Sequence, residues 1–143
     1  MLDTVFIGID VSSRTNVVHV MDHVGNKLWS DEYMNSAPGA ETLVAHLLKD
    51  PRCDKAFYRF GLEATGVYGK GVAMFLRETP KIHPSRKAVH VLNPKHVKRF
   101  RDSYSDLPKD DFTDAFVIAD SLRFGRIAAK EVVVEDKYLA LQT

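Results

Sequence analysis

A continuous apolar run near the start of the chain constrains the fold more than any other feature. The run is Val5-Phe6-Ile7-Gly8-Ile9, and it ends at Asp10. Apolar residues without polar alternation predict a strand buried on both faces, as in the centre of a sheet covered by helices. A later run, Phe57 to Leu62, also has the character of a strand and ends at Glu63. The sequence therefore predicts two strands that each lead directly into a carboxylate.

The rest of the chain predicts three more strands and four helices. The additional strands are Thr15 to Met21, Lys27 to Tyr33 and Ala88 to Leu92. The helices open after Ser36, after Gly66, after Asn93 and at about Asp110, next to cap, proline or turn residues. The order βββαβαβαα is typical of the ribonuclease-H-like α/β layout. That layout is a mixed five-stranded sheet flanked by helices, with its first and fourth strands parallel and adjacent.

Length and cysteine content limit the class of protein. A chain of 143 residues suits one domain, since about 68–70% of the unfolded surface is buried on folding at this size. The single cysteine, Cys53, excludes an intramolecular disulfide and a cysteine-based zinc site. No apolar run approaches the roughly 18 residues of a membrane span, and the segment MLDTVFIGID lacks the basic region of a signal peptide. We therefore expect a cytoplasmic protein.

The charges are balanced in number, 20 basic against 19 acidic residues, but they are segregated along the chain. Residues 81–101 contain seven basic residues and no acid, whereas residues 102–120 contain six Asp and one Lys. Because phosphates attract cations and metal ions need carboxylates, this layout favours an enzyme that acts on nucleic acid. Two solvated faces of opposite charge are the alternative. The predicted nucleic-acid-binding residues are Lys81, Arg86, Lys87, Lys95, Lys98, Arg99, Arg101 and Lys109.

The carboxylates after the two strands predict the position of a site. In the expected layout Asp10 and Glu63 lie at neighbouring carboxyl ends of parallel strands, the edge at which open α/β sheets bind ligands. On the last helix, Asp111 and Asp114 are three residues apart and share a face with the apolar Ala115. We therefore expect both helix acids to point toward the protein and away from bulk water.

Four carboxylates that converge in this way repel one another. Each pair at about 4 Å costs about 1 kcal/mol in water and about 4 kcal/mol near a protein surface. Such a cluster needs divalent cations or raised pKa values at neutral pH, and two hard cations can clamp the attacking and leaving oxygens of a phosphodiester. The all-oxygen set favours two Mg²⁺ or Mn²⁺ ions over zinc. Each acid alone is better explained as a turn residue or helix cap, whereas their conjunction favours a metal site.

The segments that carry these acids resemble one family, the DEDD transposases of bacterial and archaeal insertion sequences, whose N-terminal domain is RuvC-resolvase-like. The matching segments are GIDVSSRTNVVHVMD around Asp10, GLEATGVYG around Glu63, VLNPKHVKRF, and KDDFTDAFVIADSLRFGR around Asp111 and Asp114. The resemblance implies a DNA-recombining enzyme in which these four residues are catalytic and bind Mg²⁺. It also implies that an RNA encoded by the element guides the choice of DNA.

The resemblance further implies a domain boundary. Residues 1–127 correspond to the RuvC-like DEDD domain, and residues 128–143 to a tail leading toward a coiled coil and a C-terminal domain that supplies a serine for strand exchange. We therefore expect this chain to be incomplete for recombination and the full-length protein to be a homo-oligomer. Asp110 stands where many relatives have Thr or Asn, so it adds a charge beside the site.

Three other functions remain open at this stage. The segment GIDVSSRTNVVHVMDHVGN is also similar to the first phosphate loop of actin-like sugar kinases and chaperone ATPases, although those proteins need a second Gly-rich loop. A non-catalytic RNA- or DNA-binding module would bind in a way that weakens with salt and ignores divalent metal. A Holliday-junction nuclease of the same fold would cut four-way junctions without a guide.

Overall fold

The first apolar run forms the central strand of a mixed β-sheet. The structure, a computed structural model, describes residues 3–63, 66–107, 112–125 and 130–131. The strands in these ranges are β1 (Thr4–Val11), β2 (Thr15–Met21), β3 (Lys27–Met34), β4 (Phe57–Glu63), β5 (Lys87–Leu92) and β6 (Lys130–Glu131). The helices are α1 (Ala37–Lys49), α2 (Gly69–Glu78), α3 (Pro94–Asp102) and α4 (Thr113–Phe124), with a 3₁₀ turn at Pro84–Arg86. None of these helices is long and apolar enough to cross a membrane.

The sheet has the strand order β3-β2-β1-β4-β5-β6. β4 is parallel to both β1 and β5, whereas β2 is antiparallel to β1 and β3. The predicted order βββαβαβαα and the adjacency of the first and fourth strands are therefore confirmed. β6 is an addition to the five predicted strands. It comes from the segment predicted as a tail and pairs antiparallel with the edge of β5.

Alternate residues of the two central parallel strands face different helical layers. Val5, Ile7 and Ile9 of β1 pack with Tyr58, Phe60 and Leu62 of β4 in a core that includes the apolar faces of α1 and α2. Phe6 belongs to a second core formed with α3 and α4. Because side chains alternate across a strand, Asp10 and Glu63 lie on the α4 face of the sheet. This alternation is what places both carboxylates on the same side.

Two glycines allow α4 to lie close to that face. A Cβ on Gly8 would be 2.1 Å from the carbonyl oxygen of Ala115 and 2.5 Å from the backbone nitrogen of Ala119. A Cβ on Gly61 would be 2.5 Å from Cδ1 of Leu122. The missing side chains thus bring α4 against the strands that carry the two carboxylates.

A few element boundaries differ from the predicted ones. β1 continues one residue past the first carboxylate to Val11, because it pairs with β2 up to that point. α2 begins at Gly69 and not directly at Gly66, which has a φ of 62° and turns the chain before the helix starts. The predicted start of the last helix at Asp110 lies outside the described residues, within which α4 begins at Thr113.

Substituting Gly8 by alanine is expected to destabilise the fold by at least about 2 kcal/mol, since overpacking a core typically costs about 1–3 kcal/mol and the new Cβ would meet backbone atoms. Gly71→Ala is the matched control, because a Cβ on Gly71 meets nothing within 4 Å. In helix α2 this control should stabilise the protein by about 0.5–1 kcal/mol. Urea unfolding of the two variants checks both values. A Gly8→Ala protein as stable as the native one would show that α4 does not approach β1 this closely.

Candidate metal and nucleic-acid site

Asp10 and Glu63 meet at one edge of the sheet. β1 and β4 are parallel with Ile9 opposite Leu62, so the two carboxylates occupy the next position on each strand. Both side chains are half-buried and share the face occupied by α4. The structure therefore brings the two strand-end acids together, as the sequence predicts.

The two helices on this face add one acid and one base to the site. Asp114 lies in the first turn of α4, and its Oδ1 is 2.6 Å from Nη2 of Arg101. Arg101 lies in the last turn of α3, four residues after the buried Val97, and so shares its face. Phe100 packs against Phe124 of α4 with ring centroids 5.3 Å apart. This packing holds the last turn of α3 against α4.

The electrostatics tie the three carboxylates and Arg101 into one cluster. Burial raises the pKa of Asp10, the charge of Asp114 raises it further, and Arg101 opposes both effects. Burial also raises the pKa of Glu63, which Arg101 lowers and the other two carboxylates raise. Loss of water and repulsion between like charges both disfavour ionised carboxyls. The cluster is therefore short of positive charge, although one guanidinium is already present.

Only some of the hydrogen-bond donors of the Arg101 guanidinium have a partner in this position. Its Nη2 binds Asp114, but its Nε is buried and has no hydrogen-bond partner within the described part of the chain. A buried donor without an acceptor costs free energy. Holding the guanidinium beside Asp114 therefore leaves its Nε donor buried and out of reach of a ligand from solvent.

The chemistry of the donor set suits a hard divalent cation, but the side chains are not arranged as a formed metal site. Asp10, Glu63 and Asp114 offer carboxylate oxygens, which Mg²⁺ and Mn²⁺ prefer. Within residues 3–63, 66–107, 112–125 and 130–131, however, no group of three or more His, Cys, Asp or Glu side chains is placed to hold a metal ion. Asp114 is paired with Arg101 instead. The fourth predicted ligand, Asp111, lies outside the described residues.

The structure corrects the expected orientation of Asp114. The helix pattern predicts that it points away from bulk water, yet 51% of its side chain is exposed. The reason is its position in the first turn of α4, before the buried stretch that begins at Ala115. Its carboxylate is therefore accessible from solvent while Arg101 holds it in place.

The predicted basic strip is divided between opposite edges of the sheet. Arg86 and Lys87 lie at the start of β5, and parallel strands start at the edge opposite their carboxyl ends. Arg86 donates to two backbone carbonyls of the segment before β4. Lys87 is buried and donates to the carbonyl of Thr79 at 2.9 Å. Lys81 is exposed in the turn just before them. These three side chains are thus separated from the carboxylates, and the expected single strip is not formed.

The remaining described cations lie on α3 beside the site. Lys95, Lys98 and Arg99 are exposed along this helix. α3 starts directly after β5, whose last residue Leu92 lies opposite Glu63. α3 therefore starts at the edge that carries the carboxylates, with these cations on its exposed surface. Lys109 lies outside the described residues.

Sequence analysis missed a polar network that fixes the segment after α3. The hydroxyl of Tyr104 donates to the carboxylate of Asp120, which is buried on α4. Nε of Arg123 donates to the other carboxylate oxygen at 2.8 Å. No spacing in the sequence separates this structural Asp from the two predicted helix acids, Asp111 and Asp114, because all three lie in one acidic segment.

Asn35, directly after β3, is a second residue that the sequence did not single out. Its side-chain amide donates to the carbonyl of Ser12 at 2.8 Å and to that of Tyr68 at 3.0 Å. Ser12 follows Asp10 and Tyr68 follows Glu63, so the amide touches both loops of the site. A single Asn after a strand is usual in turns and therefore gives no signal of this contact.

Comparison with solved structures defines the class of fold. The structure described as T. thermophilus RuvC in complex with Holliday junction substrate is similar to this chain, with a TM-score of 0.58 and 15% sequence identity. The similarity covers 90% of this chain and 99% of that chain. It confirms the predicted ribonuclease-H-like, RuvC-like architecture. A comparison with curated proteins finds no match.

The chain belongs to the IS110-type DEDD transposase family. The model of that family, described as a transposase, matches residues 7–143. This match confirms the resemblance carried by the segments around Asp10 and Glu63, and it favours a transposase over the ATPase alternative. It also runs past residue 127, where the sequence predicted a domain boundary.

Replacing Glu63 by glutamine is expected to stabilise the metal-free fold at pH 7. The pKa of Glu63 is raised in the folded state above its ordinary value of 4.5, mainly by burial. The folded carboxyl therefore binds its proton more readily than the unfolded one, and its ionised form opposes folding as the pH rises through the folded pKa. The gain from glutamine should be present at pH 7 and disappear as the pH falls below 4.5.

Urea unfolding in the presence of a chelator, at neutral and at acidic pH, measures this gain. Glu41→Gln is the matched control, because Glu41 is exposed on α1 and loses the same charge away from the site. A Glu63→Gln protein that is less stable than the native one at pH 7 would contradict the repulsive cluster.

Proposed function

We propose that this chain carries the metal-dependent catalytic domain of an insertion-sequence transposase, which cleaves and joins DNA strands. The observation that carries the proposal is the convergence of Asp10, Glu63 and Asp114 on one cation, Arg101, at the carboxyl edge of parallel strands. Family membership supports the class of reaction. The RuvC-like fold supports the use of this sheet edge.

In this proposal the three carboxylates, with Asp111, hold Mg²⁺ or Mn²⁺. Two such ions supply charge stabilisation for the attacking and leaving oxygens of a phosphodiester. The guanidinium of Arg101 already supplies one positive charge beside Asp114. The site thus has one permanent positive charge, that of Arg101, and carboxylates that can bind further cations.

The exposed cations of α3 supply the nucleic-acid surface of the proposal. Lys95, Lys98 and Arg99 are exposed on the helix that starts at the carboxylate edge. Among the described residues they have no close ion pair of the kind found for Arg101. Contacts of this kind position a phosphate backbone without reading its sequence. DNA is the proposed partner, and the resemblance extends the proposal to a guide RNA and to a homo-oligomer of the full-length protein.

Metal-linked DNA binding tests the proposal. Mn²⁺ should raise the affinity of the native chain for a short duplex by about fivefold or more at constant ionic strength, the lower end of usual coupling between two ligands. Asp10→Asn should abolish this increase, because the metal would link the carboxylates to the phosphates. Asp31→Asn, an exposed carboxylate on β3, is the control and should retain it.

Two outcomes would favour the other functions. Binding that is equal in Mn²⁺ and in chelator, yet weakens with salt, would contradict a catalytic site and indicate a binding module. Metal-dependent cutting of a four-way junction without a guide would favour a junction nuclease of the same fold.

A further inference from the structure

We infer that Asn35 is a positioning residue that ties together the two loops following Asp10 and Glu63. This inference rests on the proposed function of that site. Asn35 lies directly after β3, on neither of the strands that carry the acids. Asn35 carries no charge, and the hydrogen bonds that its side chain donates go to the loops and not to the carboxylates. It therefore affects the carboxylates only through the positions of these loops.

The first contact of Asn35 is with the turn after β1. Its backbone N–H donates to the carbonyl of Arg14 at 2.8 Å, and its side-chain Nδ2 donates to the carbonyl of Ser12 at 2.8 Å. Ser12 is two residues after Asp10 and is itself held in the turn, where its hydroxyl donates to the carbonyl of Thr15 at 2.6 Å. Asn35 thus binds the turn from both its main chain and its side chain.

The second contact of Asn35 is with the start of α2. The same Nδ2 donates to the carbonyl of Tyr68 at 3.0 Å. Tyr68 caps α2 and follows Glu63 by five residues. An amide NH₂ group has two hydrogens in one rigid plane. The two loop carbonyls are therefore held at a fixed separation by a single group.

The orientation of the Asn35 amide is set from the sheet. Its Oδ1 accepts a hydrogen bond from Nδ2 of Asn16 at 3.3 Å. Asn16 is buried and pairs with Val11 on β1. Since the acceptor side of the amide is occupied by this donor, the donor side faces the two loops.

The two residues directly before α2, Val67 and Tyr68, bury little of their side chains, which gives the hydrogen bond its importance. Val67 is 63% exposed and Tyr68 is 54% exposed. Segments with little buried apolar surface open at low free-energy cost. The hydrogen bond from Asn35 therefore restrains two residues that burial holds only weakly.

Asn35→Ala should weaken Mn²⁺ binding by about tenfold, as expected for the loss of a group that orients metal ligands. It should also speed hydrogen exchange of the backbone amides in residues 66–70. Asn35→Asp is the sharper variant, because it keeps the acceptor for Asn16 but cannot donate to either carbonyl. Its added negative charge would by itself tighten cation binding, so weaker binding identifies the lost donors.

Thr42→Ala is the matched control, since it removes a hydrogen bond of 2.9 Å from Thr42 Oγ1 to the carbonyl of Pro38, within α1. It should leave both measurements unchanged. Mn²⁺ affinity of Asn35→Asp within about twofold of the native chain, well short of the roughly tenfold loss expected from the tether, would overturn the inference. A native chain that binds no Mn²⁺ would instead contradict the proposed function. In that case unchanged hydrogen exchange in Asn35→Asp would overturn the tether on its own.

Discussion

Repulsion among carboxylates at one edge of the sheet, offset by a single guanidinium, is the interaction on which the rest of the site depends. Burial and mutual charge raise the pKa values of Asp10 and Glu63, and Arg101 opposes the rise. Groups held in such an unfavourable state are typical of functional sites. Val97 and Phe100 pack α3 against α4, and the last turn of α3 thereby brings Arg101 to Asp114.

The backbone architecture makes this cluster unavoidable. Parallel pairing of β1 with β4 puts the two strand ends side by side, and alternation puts both acids on the face of α4. The bare Gly8 then allows α4 to approach until its first turn completes the cluster. The position of α4 depends on the strands, and the position of the acids depends on how β1 pairs with β4. A shift in that pairing would therefore move the acids apart. Asn35 adds a restraint between the loops that leave these strands.

The fold and half of the site follow from the sequence because local patterns carry them. The apolar run before Asp10 and the Asn93-Pro94 cap predict their elements correctly. The prediction of a single basic strip was wrong because residues close in sequence can lie at opposite ends of a strand. Lys87 is close to Lys95 in the sequence, but the two residues lie at opposite edges of the sheet. They are separated because β5 runs from one of these edges to the other between them. The exposure of Asp114 and the contacts of Asn35 depend on where the ends of helices and strands lie in the folded structure. The periodicity of the sequence does not give these positions.

Titration of the metal-free chain with Mn²⁺, comparing Arg101→Ala with Arg99→Ala, tests most directly whether the carboxylates form one cation site. Arg99 is exposed on the same helix and loses the same charge. We predict that Arg101→Ala binds Mn²⁺ about fivefold more tightly than the native chain, since a unit charge at about 4 Å is worth about 1 kcal/mol even in water. Arg99→Ala should stay within about twofold because salt screens exposed charges. Equal affinities in the two variants would contradict a cation site in which Arg101 stands beside the metal ligands.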